Sequence, residues 1–114
     1  MSSANFDSLR QIQKALDAFA KARDWSRFHS PKNLAMALAA EAGEVLEHYQ
    51  WRTEYESQHL SAAAQKEVAL ELADVLFYLV LLADKAGVDL AAAATEKMAI
   101  NEKRFVPNSP ESQL

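Results

Sequence analysis

Hydrophobic residues along this chain recur at steps of three and four residues, which is the period of amphipathic helices. The first such segment covers about residues 5–23. Its apolar face carries five large side chains: Phe6, Leu9, Ile12, Leu16 and Phe19. The next stretch, residues 24–30, has no helical period, so we expect a first helix followed by a connecting loop.

Capping residues predict where the later helices begin and end. Ser30 followed by Pro31 is typical of a helix start, because serine accepts hydrogen bonds from free amide groups and proline suits the first helical position. A second helix is therefore predicted over about residues 31–51. After a polar connection, Ser61 predicts a third helix that ends near Ala86.

Gly87 is predicted to stop the third helix in a left-handed conformation, and Asp89 to cap a fourth helix that runs to about Phe105. Four helices joined by short connections are typical of a small bundle. We therefore predict an all-α four-helix bundle that forms one domain over residues 1–106. Residues 107–114 are predicted to be a flexible tail, since they are polar and rich in proline.

The third predicted helix is apolar on almost every side, most of all over residues 75–83. A helix without a wide polar face has to be covered on all sides. A chain of 114 residues supplies too little structure to do so. The sequence therefore predicts a homo-oligomer, a dimer or a tetramer, with this helix at its centre.

Charge and composition exclude several classes of function. The net charge of −4 provides no positive field for a phosphate backbone, so binding to nucleic acid is not expected. The longest apolar run is far shorter than the roughly 20 residues that cross a bilayer, and the N-terminus lacks a basic, apolar leader. We expect a cytoplasmic protein without membrane contact. Because cysteine is absent, only oxygen and imidazole are available as metal ligands.

Acidic residues interrupt the apolar stripes of the second and third predicted helices. Glu41 occupies an apolar register position, and Glu44 follows one turn later. In the third helix Glu71 and Asp74 repeat this arrangement. Four carboxylates converging in an apolar interior would repel one another, and a divalent cation would compensate. Because oxygen ligands favour hard ions, Mg²⁺ is the first expectation and Mn²⁺ the second.

The acids have two other interpretations. Most acidic residues on helices face the solvent and form ion pairs. That interpretation explains less easily two pairs of acidic residues that lie in apolar sequence on separate helices. A di-iron bundle needs a Glu-x-x-His motif on each of two helices. The motif occurs once, at Glu56–His59 in the polar connection, so di-iron chemistry is not favoured.

Two short motifs carry a family resemblance. Glu41-Ala42-Gly43-Glu44 and Glu71-Leu72-Ala73-Asp74 resemble the signature of the MazG-like all-α nucleotide pyrophosphohydrolases. Over about residues 10–107, flanking segments are similar to the dCTP pyrophosphatase branch of that family: Arg23-Asp24-Trp25, Phe28-His29, Asn33-Leu34, Tyr49-Gln50-Trp51 and Tyr78-Leu79.

The resemblance implies hydrolysis of a (deoxy)nucleoside triphosphate, dCTP or a modified pyrimidine dNTP, to the monophosphate and pyrophosphate. It implies a catalytic centre in which four acids hold Mg²⁺: Glu41, Glu44, Glu71 and Asp74. It also implies a set of substrate-binding residues: Trp25, His29, Trp51, Tyr78, Lys97, Asn101 and Arg104. Leu16 stands where that branch carries a histidine, so the base preference stays open, as does the identity of the general base.

The residues of the substrate set also have plainer interpretations. Lys97 and Arg104 could be surface charges, Tyr78 could be a core aromatic, and the two tryptophans could cap the ends of the bundle. For the whole protein, the alternative is a non-catalytic oligomeric scaffold that holds a structural ion.

Overall fold

The computed structural model describes residues 6–107, which form helices and no strand. The five α-helices, in chain order, are α1 (Leu9–Ala22), α2 (Pro31–Tyr49), α3 (Glu54–Gln58), α4 (Ala62–Lys85) and α5 (Leu90–Arg104). A 3₁₀ turn, Ser26–Phe28, connects α1 to α2. The predicted all-α fold is confirmed. The predicted tail begins at Pro107, and its remaining residues lie outside the described range.

The predicted helix caps are confirmed at three helix starts. Ser30 accepts a hydrogen bond from the Asn33 amide, and Ser61 accepts one from the Ala64 amide. Asp89 does the same for α5, and Gly87 adopts a φ of 70° immediately after α4. These contacts satisfy amide groups that a helix start leaves free.

The N-terminal helix is shorter than predicted. α1 begins at Leu9, because the Ser8 side chain accepts a hydrogen bond from the Gln11 amide and so caps the helix there. The predicted start near Asn5 falls outside the described residues. The hydrophobic period alone does not mark this boundary, since Phe6 continues the apolar stripe beyond the cap.

The stretch predicted as a polar connection contains the short helix α3. Thr53 accepts a hydrogen bond from the Glu56 amide, and the Glu56 carboxylate accepts one from the Thr53 amide. This reciprocal pair is a capping box, which satisfies two amide groups at once. The sequence was not expected to form a helix in this polar connection, although the Thr-x-x-Glu spacing is visible there.

The core of the chain forms where α1 and α2 pack on α4. Leu34 of α2 is the most deeply buried large side chain, with 1% of its surface exposed. The other buried core residues come from α1 and α4: Ile12, Ala20, Val68, Val80, Leu81 and Ala83. A hydrogen bond of 2.7 Å from Gln13 Nε2 to Asp84 Oδ1 joins the start of α1 to the end of α4.

Helix α5 takes little part in this core. Its residues are exposed except Leu90 and Asn101, which are half-buried. The radius of gyration is 17.2 Å, whereas a compact chain of this length has a radius of about 13 Å. The fourth long helix of the predicted bundle is therefore present but is not enclosed by its own chain. No helix within residues 6–107 is both long and apolar enough to span a membrane.

Candidate active site

Three of the predicted acids converge between α2 and α4. Glu41 and Glu44 come from the middle of α2, and Glu71 comes from α4. One carboxylate oxygen from each residue lies within 4.8 Å of the others. Tyr49, further along α2, lines a cavity with the earlier residue Val68 of α4, so the two helices run antiparallel. This packing brings together acids that are distant in sequence.

The burial of the acid cluster suits a cation. Glu41 and Glu71 are half-buried, and each has one buried carboxylate oxygen with no hydrogen-bond partner among the described residues. Buried carboxylate oxygens without a donor are costly, because they have lost water without gaining a replacement. A hard divalent cation is the ligand that would supply the missing contact. The donor set of Glu41, Glu44 and Glu71 therefore fits a metal ion.

The electrostatics of the cluster show how strongly the acids interact. Hydrogen bonding to the carboxyl groups of Glu41 and then Glu44 raises the pKa of Glu71 from 4.5 to about 8, and burial and the negative charges of the same two groups add to this shift. Neighbouring negative charges disfavour a further ionised carboxylate. Without a cation, Glu71 is therefore protonated at neutral pH.

Asp74 does not join this cluster. Its side chain is exposed, and it is absent from the group of oxygens within 4.8 Å. A step of three residues turns a helix by about 300°, so Asp74 points about 60° away from Glu71. Glu44 is exposed for the same reason, although its carboxylate still reaches the cluster. The structure thus differs from the expectation that all four acids face inward.

Trp25 lies beside the first turn of α2. Its ring contacts Phe19 of α1 edge to face, with 5.5 Å between ring centroids. The amide of Phe28 donates to the Trp25 carbonyl oxygen, and Asn33 Nδ2 donates to the Phe28 carbonyl oxygen. These contacts fix a ring that remains 47% exposed. The contact between Phe19 and Trp25 is not predicted by the sequence, although the place of Phe19 on the apolar stripe near the end of α1 is visible there.

His29 follows the same 3₁₀ turn and is half-buried. It therefore shares the end of α2 at which Trp25 lies. Trp51, in contrast, lies two residues beyond the other end of α2, and 87% of its surface is exposed. α2 has 19 residues, and a helix of that length rises about 28 Å. A single chain does not bring the three predicted base-binding residues together.

The predicted phosphate contacts lie on α5. Lys97, Asn101 and Arg104 follow one another at steps of four and three residues, which places them on one face. Lys97 and Arg104 are exposed, and neither forms an ion pair within residues 6–107. The Arg104 guanidinium lies 4.7 Å from the Phe105 ring centroid. Tyr78 of α4 is half-buried, one turn after Asp74.

An acid cluster between two antiparallel helices of an all-α chain is an arrangement that could hold a metal ion. The sequence model of the MazG-like family matches residues 36–112. A search of solved structures found a pyrophosphatase from Archaeoglobus fulgidus with a TM-score of 0.81 and 33% identity, covering 93% of this chain and 99% of that one. The chain belongs to the MazG-like family.

Curated relatives are also similar to this chain. It is 43% identical over 100 residues to human dCTP pyrophosphatase 1 and 40% identical to the bovine protein of that name. These alignments cover 86% of this chain. The chain spans 59% of the length of the curated relatives that it matches.

Proposed function

We propose that this protein hydrolyses a deoxynucleoside triphosphate, dCTP or a modified pyrimidine dNTP, to the monophosphate and pyrophosphate. The observation that carries the proposal is the cluster of three carboxylates, two of whose buried oxygens have no hydrogen-bond partner within residues 6–107. The similarity to dCTP pyrophosphatase 1 and to a solved pyrophosphatase supports the same reaction class. A cellular role in removing unwanted nucleotides would follow from this activity.

Glu41, Glu44 and Glu71 would hold the divalent cation, with Asp74 as a fourth carboxylate on the next turn of α4. We take Mg²⁺ as the ion, with Mn²⁺ as the second choice, because all the donors are oxygen atoms. When bound, the cation would neutralise the polyphosphate charge and lower the pKa of water. The acids themselves bind and orient the ion. Glu71 would give up its proton on binding the ion, because a ligating carboxylate is ionised.

The remaining predicted residues would bind the substrate. Lys97 and Arg104, which form no ion pair within the described part of the chain, would offer positive charges to the phosphates. Asn101 would add an amide between them on the same face of α5. Trp25 offers a fixed, half-exposed ring on which a base can stack. Tyr78 places a hydroxyl on α4, one turn beyond Asp74. Hydrolysis at the α-phosphorus then releases pyrophosphate.

Self-association, as a dimer or a tetramer, is part of this proposal. The chain exposes 8935 Å², whereas a compact monomer of its mass exposes about 6,200 Å². The excess is large compared with a standard protein interface, which buries roughly 800 Å² per partner. We also propose that the enzyme acts in the cytoplasm, where nucleoside triphosphates are used.

The test is a product analysis. Purified protein is incubated with a panel of nucleoside triphosphates and Mg²⁺, and the nucleoside monophosphate, pyrophosphate and orthophosphate are separated over time. We expect monophosphate and pyrophosphate in equal amounts, with a pyrimidine dNTP hydrolysed fastest and no turnover in EDTA. Orthophosphate as the sole early product, or no hydrolysis of any nucleotide, would contradict the proposal.

A further inference from the structure

The backbone just before Trp25 has a conformation that is unusual for a residue with a side chain. Asp24 has a φ of 57°, and no other non-glycine residue within the described part of the chain has a positive φ. This left-handed region is disfavoured because the Cβ atom comes close to the following carbonyl oxygen. Asparagine and aspartate tolerate it best. Such outliers cluster at functional sites, where the surrounding structure holds them in place.

Hydrogen bonds show what the left-handed residue does. The Trp25 amide donates to the Ala20 carbonyl oxygen at 2.9 Å. The Asp24 amide donates to the Lys21 carbonyl oxygen at 3.2 Å. Together these bonds form a Schellman motif, in which the second residue beyond the helix often makes an apolar contact with the last turns. Here that contact joins Trp25 to Phe19, so the turn at Asp24 directs the tryptophan ring back onto α1.

The end of α4 has the same motif with a different residue at the left-handed position. The Val88 amide donates to the Ala83 carbonyl oxygen, and Gly87 has a φ of 70°. Glycine is the usual residue there, because it has no Cβ to strain. Glycine also leaves the backbone many alternative conformations, whereas aspartate allows few. The chain therefore has the more restrictive residue at the motif that carries Trp25.

Two arginines hold the residues on either side of this turn. Asp24 Oδ2 lies 3.3 Å from Arg27 Nε, in the 3₁₀ turn that follows Trp25. Both side chains of this ion pair are largely exposed, so it contributes little stability. Arg23 Nη1 donates to the Phe19 carbonyl oxygen, and its guanidinium carbon lies 3.5 Å from the Phe19 ring centroid. The ring that Trp25 contacts is thus itself held.

We propose that Asp24 and Phe19 are positioning residues for base binding, because together they fix the orientation of Trp25. Asp24 closes the turn that directs the ring toward α1, and Phe19 contacts the ring there while 47% of Trp25 stays exposed for stacking. A ring that is already fixed loses less conformational entropy when it binds a ligand. This inference rests on the proposed function and deepens it, since it assigns residues that set the affinity for the base.

Fluorine NMR tests the positioning without any activity. The chain has two tryptophans, so protein labelled with 5-fluorotryptophan gives two ring signals, which Trp51→Phe assigns. Asp24→Val should shift and narrow the Trp25 signal, because a β-branched residue is disfavoured in the left-handed region and the ring is released. Asp24→Asn should leave the signal unchanged. An unchanged signal in Asp24→Val, or the same change in Asp24→Asn, would overturn the proposal.

The matched control is Gly87→Val, which puts the same side chain at the left-handed position of the other Schellman motif. Its Tm should fall at least as far as that of Asp24→Val, because both variants strain the end of a helix in the same way. The Trp25 signal should nevertheless stay where it is in the wild type. If Gly87→Val moves that signal as much as Asp24→Val does, general destabilisation explains both variants and the proposal fails.

Steady-state hydrolysis of dCTP with Mg²⁺ measures the consequence for the substrate. Asp24→Val and Phe19→Leu should raise KM and leave kcat within about twofold, because stacking holds the base equally in the ground state and the transition state. The rise in KM should be roughly 5- to 150-fold, since stacking on a base contributes about 1–3 kcal/mol. Phe19→Tyr, which keeps the ring, should stay within about twofold of the wild type.

Phe19→Leu keeps the test decisive if Asp24→Val does not fold, because Phe19 is 46% exposed and lies outside the buried core. A fall in kcat at unchanged KM, or the same KM in Phe19→Leu and Phe19→Tyr, would overturn the assignment. A wild-type protein that hydrolyses no nucleotide would instead refute the proposed function, and the NMR comparison would still decide whether Asp24 positions Trp25.

Discussion

The metal-free protein should lose stability as the pH rises, because Glu71 is easier to protonate in the folded chain than in the unfolded one. The pKa of Glu71 is about 8 in the folded chain, compared with an ordinary value of 4.5. At pH 6 the folded side chain is about 99% protonated, and the unfolded one is about 3% protonated. Folding at this pH therefore takes up about one proton per chain at this site.

The sign of the pH dependence follows from this proton. Because the pKa of Glu71 is raised in the folded chain, its contribution to the free energy of unfolding is complete below pH 4.5. This contribution then declines as the pH rises, and it is lost once the pH passes about 8. Calorimetric scans in EDTA between pH 5 and pH 8.5 measure it as a falling Tm. Saturating Mg²⁺ should flatten the decline, because the cation replaces the proton as the partner of the carboxylates.

Two variants separate Glu71 from the other titrating groups. Glu71→Gln should flatten the decline in EDTA, because the amide carries no proton to lose. Glu67→Gln, one turn earlier on α4 and exposed, is the matched control and should keep the wild-type slope. A wild-type Tm in EDTA that stays constant or rises between pH 5 and pH 8 would refute the reasoning about the cluster.

Three further predictions concern single substitutions. Glu41→Gln and Asp74→Asn should both abolish hydrolysis. Only Glu41→Gln should raise the Tm in EDTA, because only Glu41 belongs to the cluster of mutually repelling acids. Hydrolysis by both variants would contradict the metal assignment. Leu34→Ala should cost about 2–5 kcal/mol in urea unfolding, since it empties the most buried position; a loss under 1 kcal/mol would place Leu34 outside the core. Gly87→Ala should cost about 1–2 kcal/mol in the same assay, because its φ of 70° strains any residue with a Cβ; an unchanged midpoint would contradict that conformation.

The helices were predictable from sequence because their signals are local. Ser30, Ser61 and Asp89 each cap a helix through an amide three residues away. The Thr53 capping box is a local signal of the same kind, and it marks the start of the short helix α3. It is easily overlooked because the surrounding sequence is polar. Local signals do not determine which helices pack together. α5 is helical as predicted, yet its exposed residues make few contacts within the chain.

The candidate site was predictable only in part, because it depends on packing between helices. The apolar register placed Glu41 and Glu71 correctly at half-buried positions, since register on a helix determines which face a residue occupies. It could not place Asp74, whose exposure depends on where α2 crosses α4. It could not place Trp51 either, because no residue of the described chain covers that ring. A side chain that is 87% exposed in one chain gains a binding role only if a second surface meets it.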